Sequence, residues 1–206
     1  MSVNKLLILP VLGALTLAIA GVANAFPAGG PPDSFQVGYA ANLNLGESYI
    51  DITNAGTLNG THPAGNICAN VYVFSPDEQL ASCCSCLVTP DALNNLGVNR
   101  DLVSNTLTGV IPTSVVVKMV ASVPASSSTC ANSAVTVNPK NLAPGMRVWG
   151  TTLHSAPAGG VALTENQFSP ALLSTSELAN LTSLCGFIID DGSGFGICKS
   201  CRTGGL

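Results

Sequence analysis

The sequence predicts a mainly β protein: an antiparallel β-sandwich, immunoglobulin-like or jelly-roll-like, with one C-terminal helix and stabilising disulfides. Three observations carry this expectation. Several short apolar stretches alternate with a period of two and are separated by clusters of Gly, Pro, Asn and Ser. Helical spacing is clear in one stretch only, near the C-terminus, so strands and helices do not alternate as a doubly wound α/β sheet requires. The chain also carries eight cysteines, none of them before Cys68.

Taken in order, the chain begins with Lys5 as its only charged side chain before Asp33, an apolar run from Leu6 to Ala20, and small residues at Ala23-Asn24-Ala25. This is the layout of a secretory signal peptide, residues 1–25, cleaved after Ala25. A membrane anchor is disfavoured, because the run is short for a span and holds Pro10 and Gly13. Removal leaves 206 − 25 = 181 residues, enough for one domain. It also leaves six basic against eleven acidic side chains, a net charge of −5. A basic surface for nucleic acid or anionic lipid is thereby excluded, and no membrane span is expected after cleavage.

Residues 26–34 are rich in Pro and Gly and are expected to form a flexible tail. A single sandwich domain is expected over 35–206. Phe35 to Ala41 predicts a weak strand and Glu47 to Asn54 a better one, before a loop through Gly65. Ile67 to Val88 predicts a hairpin about Ser75-Pro76-Asp77-Glu78, where Pro and Asp suit a type I turn. Its first strand sets Ile67, Ala69, Val71 and Val73 against Cys68, Asn70, Tyr72 and Phe74, the pattern of a half-buried strand. Thr89-Pro90 predicts a helical turn or two through Leu96. Thr113 to Ser122 predicts a strand, and Pro124 to Ala134 a Ser-rich loop carrying Cys130. Met146 to Leu153 and Val161 to Phe168 predict two strands that pair with each other. Ser174-Thr-Ser-Glu177 is a capping box, with Glu177 reaching back to the start of a helix over about 175–189. Leu178, Leu181, Leu184, Cys185 and Ile188 form its apolar stripe, and a Gly-rich, Cys-rich tail follows.

All eight cysteines, Cys68, Cys83, Cys84, Cys86, Cys130, Cys185, Cys198 and Cys201, are disulfide candidates in an exported chain. Adjacent strand residues point to opposite faces, so Cys84 and Cys86 share a face and Cys83 reaches elsewhere. Cys130 is a candidate partner for Cys83 or Cys84. Pairing about Asp77 sets Cys68 opposite Cys86, which predicts a bond between them, with Cys84 as second choice. A bond from Cys185 to Cys198 or Cys201 is expected to clamp the tail to the helix. The remaining tail cysteine is expected to join the 83–86 cluster.

Other chemistry is weaker. Cys198-Lys-Ser-Cys201 is a C-x-x-C, but it lacks the following helix that a redox pair needs. With Cys83, Cys84 and Cys86 it has the donors for Zn²⁺ or an iron–sulfur cluster, against which an oxidising compartment argues. His62 and His154 stand without a G-x-S-x-G or H-E-x-x-H motif, so no catalytic residue, metal ligand or cofactor is assigned. Asp190-Asp191-Gly192-Ser193-Gly194 lacks the alternating carboxylates of an EF-hand. Trp149, Tyr39, Tyr49 and Tyr72 are placed singly on strands and read as core more readily than as a sugar-stacking face.

The stretch NICANVYVFSPDEQLASCCSC, followed by CGFI and GFGICKSC, resembles an uncharacterised family of secreted, cysteine-rich bacterial proteins. The resemblance covers most of the mature chain. It implies export, and it brings no activity, ligand or catalytic residue. The expectation is a non-enzymatic structural or adhesive surface module, secreted or periplasmic. It would associate with itself or with a cell-surface or extracellular-matrix partner. The alternative is an extracellular glycan- or metal-binding module, and the third reading is an extracellular hydrolase. A strand edge open to a neighbour would distinguish the first. A cleft joining His62 or His154 to an acid would distinguish the last.

Overall fold

The structure is a computed structural model that describes residues 30–126 and 129–199. The segment expected to be a signal peptide, residues 1–25, and Cys201 lie outside the described residues. Among the described residues, nine strands form two antiparallel sheets. They are β1 (Phe35–Ala40), β2 (Tyr49–Asn54), β3 (Ile67–Phe74), β4 (Leu80–Val88), β5 (Leu93–Gly97), β6 (Val115–Ser122), β7 (Met146–Ser155), β8 (Val161–Gln167) and β9 (Ser169–Pro170). The larger sheet runs β4-β3-β6-β1-β9 and the smaller β5-β2-β7-β8. Helices α1 (Ser133–Thr136) and α2 (Thr175–Asp190) complete the fold. The protein is a mainly β sandwich with one C-terminal helix and disulfide cross-links.

The larger sheet is covered on both faces. Ile67, Ala69, Val71 and Val73 of β3, with Val117 and Met119 of β6, pack against Ile50, Ile52, Met146 and Val148 of the smaller sheet. The opposite face of β3 carries Tyr72 and Phe74. It packs with Val120, Leu178, Leu181, Cys185 and Ile188, so α2 closes a second core. Every residue of β3 is buried. The half-buried pattern expected for β3 is therefore corrected, since its polar-looking side faces helices rather than water. Asn70, buried there, donates to the Val120 carbonyl and to Ser122 Oγ, and accepts from Ser85 Oγ. Ser85 Oγ in turn accepts the Ala134 N–H of α1. Tyr72 donates its hydroxyl to the Ala134 carbonyl at 2.6 Å, and burial pushes its phenol up from the ordinary value.

The hairpin closes where expected, with the Glu78 N–H donating to the Ser75 carbonyl. One extra residue, Ala81, bulges from β4, because Phe74 pairs with Leu80 while Val73 pairs with Ser82. That single step carries Cys68 past Cys86 to Leu87 and turns the two cysteines to opposite faces. The expected Cys68–Cys86 bond is thereby excluded, and so is its second choice, Cys84. Cys68 bonds Cys130 instead. Cys130 is accordingly not the partner of Cys83 or Cys84. Cys83 faces the helical side and bonds Cys185 of α2, while Cys84 faces between the sheets and bonds Cys198. The expected clamp from Cys185 to the tail is corrected, because Cys83 on the helical face of β4 takes Cys185 while Cys198 reaches Cys84 between the sheets. The tail is tied to the 83–86 cluster through Cys84, and the divergence of Cys83 and Cys84 follows from strand geometry as expected. Cys86 is also disulfide-bonded.

Two local expectations change. Residues 93–97 form a strand on β2 rather than a helical turn, since Asp91 takes φ 62° and Leu96 is needed in the inter-sheet core. Ser174 caps α2 by accepting the Glu177 N–H, but the Glu177 carboxylate pairs with Lys118 Nζ of β6 at 2.6 Å instead of reaching back. Within the segment expected to be a flexible tail, Asp33 holds Arg147 and accepts the Gly145 N–H.

At Phe168 the chain leaves the smaller sheet, after β8, and enters the larger one as β9. The ring lies against Gly38 and Gly150, where an added Cβ would stand 2.2 Å and 2.7 Å from it. Gly38→Ala should therefore lower stability by about 1–3 kcal/mol through overpacking. Gly186→Ala, with open space around it on α2, should raise stability by about 0.5–1 kcal/mol. Chemical unfolding of the two variants reads both signs, and equal shifts would refute the wedge.

Candidate interaction edge

An antiparallel sandwich exposes four strand edges, and each can recruit a foreign strand unless it is covered. The β4 edge is covered. The Cys83 N–H donates to the Gly196 carbonyl and the Cys198 N–H to the Cys83 carbonyl. Leu107 and Asn94 bond the Ala81 and Leu87 carbonyls. The β9 edge has two residues. At β5 the Gly97 N–H is held by the Asp101 carboxylate, and the strand then winds into a helical turn at Val98–Leu102.

The β8 edge differs. It runs for seven residues, Val161–Gln167, all of them exposed, and pairs on one side only, with β7. The Phe168 N–H donates to the Val148 carbonyl, which fixes the phase of the ladder. In that phase Ala162, Thr164 and Asn166 exchange their backbone bonds with His154, Thr152 and Gly150. Val161, Leu163, Glu165 and Gln167 then turn their N–H and C=O groups away from β7. Among the described residues, no backbone hydrogen bond from another segment meets them. Val161 and Leu163 are 50% and 53% exposed, so the edge carries apolar side chains as well as free donors and acceptors. The face of β8 toward the larger sheet is also open, because β9 is too short to reach it. A groove of about 360 Å³ lies there, lined by Val37, Tyr39, Thr152 and Asn166.

The residues singled out from sequence are dispersed. His62 Nδ1 bonds Asn66 Oδ1 in the loop after β2, and His154 Nε2 bonds Thr164 Oγ1 on the exposed end of the β7–β8 ribbon. Trp149 and Tyr49 share the outer face of the smaller sheet, Tyr72 is buried in the helical core, and Tyr39 projects from β1. Asp190 and Asp191 close α2, and Gly192 turns the chain with φ 66°. Cys198 of the C-x-x-C is bonded to Cys84. Among the described residues, no three His, Cys, Asp or Glu side chains are grouped to hold a metal ion. None of the helices there is long and apolar enough to cross a membrane.

The sequence foretold β8 as a strand but not its exposure. Its alternation of Val161, Leu163 and Glu165 with Ala162, Thr164 and Asn166 is the same as that of a covered strand. No protein-family model, curated protein or solved structure matches this chain.

Proposed function

We propose that this protein is a secreted structural or adhesive module that engages other chains by strand addition at β8. The observation that carries the reading is the seven-residue edge with four outward-facing residues, the longest open edge among the described residues, against five residues at β5, two at β9 and a covered edge at β4. Strand addition takes its affinity from such main-chain groups and its selectivity from alternate side chains. The disulfides support export, since such bonds persist in oxidising compartments.

Leu163→Pro is the discriminating variant. It removes an outward N–H while leaving the bonds from Ala162 and Thr164 to β7 in place, and edge strands tolerate proline where the N–H faces solvent. The mature protein should be retained on immobilised cell-surface material and on immobilised copies of itself. The variant should lose at least tenfold in retention at unchanged unfolding temperature. Equal retention by the variant overturns the reading. Displacement by free oligosaccharide or by a chelator would favour the glycan- or metal-binding alternative.

A further inference from the structure

We infer that β8 pairs antiparallel with β8 of a second copy of this chain, about a two-fold axis at Thr164, joining two four-stranded sheets into one. This rests on the strand-addition reading and names the partner. The argument is one of self-complementarity. A two-fold interface sets the same strand against itself, so each register can be tested against the residues present.

The outward groups belong to Val161, Leu163, Glu165 and Gln167. Hydrogen-bonded pairs between copies must be drawn from these four. Centring on Thr164 sets Val161 against Gln167, Leu163 against Glu165, and the reverse of each, so all four residues are used on both strands. Each such pair exchanges both bonds, giving about eight hydrogen bonds. Centring on Leu163 or on Glu165 uses three residues per strand, and the second of these brings the two Glu165 carboxylates face to face, which is unfavourable.

Charge and side chains favour the same register. Glu165 is the single charged residue of β8, and centring on Thr164 places it against Leu163 of the other copy. The half-exposed Val161 and Leu163 then lie along the aliphatic stems of Gln167 and Glu165. On the other face Thr164 meets Thr164, a favourable cross-strand pair. The strand has none of the lysine, proline or bulge that shields an open edge.

The mature protein should dimerise with concentration in sedimentation equilibrium. Amide exchange should slow at Leu163 and Glu165 as the dimer forms. Leu163→Pro should weaken the dimer at least tenfold. Thr164→Cys should cross-link two copies on mild oxidation, because the central pair lies about 4.5 Å apart between Cα atoms, within disulfide reach. Ala162→Cys should not, since in this register its copies stand about 13 Å apart along the strand. A protein that stays monomeric throughout, or a dimer that survives Leu163→Pro and cross-links through Ala162→Cys, overturns the inference. A monomer whose retention on cell-surface material is still abolished by Leu163→Pro would overturn this partner alone. Retention indifferent to Leu163→Pro would overturn the edge reading with it.

Discussion

Replacing Cys83 and Cys185 together with alanine should destabilise the protein by about 3–4 kcal/mol. The bond spans 102 residues of sequence, and the chain-entropy account assigns a loop of about 100 residues close to 4.7 kcal/mol. The expected loss is smaller because the intact Cys84–Cys198 bond already joins the neighbouring positions in the unfolded chain, leaving a loop of about 15 residues worth about 3 kcal/mol. For a domain of this size the fall in unfolding temperature should be about 10 °C. The position of the damage is as informative as its size. Because the tail is anchored separately through Cys84–Cys198, limited proteolysis should first cut near α2 and leave residues 192–199 protected. Replacing Cys84 and Cys198 should reverse that order. A Cys83/Cys185 variant with unchanged unfolding temperature, or with a tail cleaved before the helix, would contradict the assignment of the two bonds to two cores.

Asn70→Leu should cost at least as much, about 3–5 kcal/mol. The side chain is nearly isosteric, so packing is not the issue. Its amide donates to the Val120 carbonyl and to Ser122 Oγ, both at 2.9 Å, and its oxygen accepts from Ser85 Oγ at 2.7 Å. Leucine leaves the buried Ser85 hydroxyl without its acceptor, costing about 1–3 kcal/mol, and removes a second bond from the Val120 carbonyl and from Ser122 Oγ at about 0.5–1.5 kcal/mol each. Ser85 also holds the first turn of α1 through the Ala134 N–H, so the loss spreads from β3 to the helix. Urea unfolding should show a lower midpoint with an unchanged slope. Ser85→Ala in the Asn70→Leu background should add less than it does alone, because the two side chains act as one network. Full additivity would sink that account.

What was legible in the sequence was local. The alternation in Ile67–Phe74 and Val115–Ser122 and the serine cap of α2 are each set by neighbours along the chain, and each formed where the residues pointed. What was not legible depended on distant partners. Cys68, Asn70, Tyr72 and Phe74 look like the wet side of a strand until α2 is laid over them. The adjacent Cys83 and Cys84 held the hint, since two bonded neighbours on one strand need material on both faces. The bulge at Ala81 has no strong signal in Gln79-Leu80-Ala81-Ser82, yet it shifts every later pair and with it the partner of Cys68. The candidate edge was hidden for the opposite reason. Nothing in VALTENQ announces that the chain will cross to the larger sheet after it and leave its outer edge without a partner strand.

The Cys84–Cys198 bond has a mechanical meaning. Tension applied between residues 30 and 199 passes across that bond and bypasses 114 of the 169 steps of chain between them. The remaining 55 steps, at about 3.4 Å each, limit full extension to roughly 190 Å, where the reduced chain would reach roughly 570 Å. β8 lies inside the bypassed loop. A molecule hauled at residues 30 and 199 therefore yields first through β1, β2 and β3, while β8, the strand proposed to meet a neighbour, carries none of the load along its own backbone.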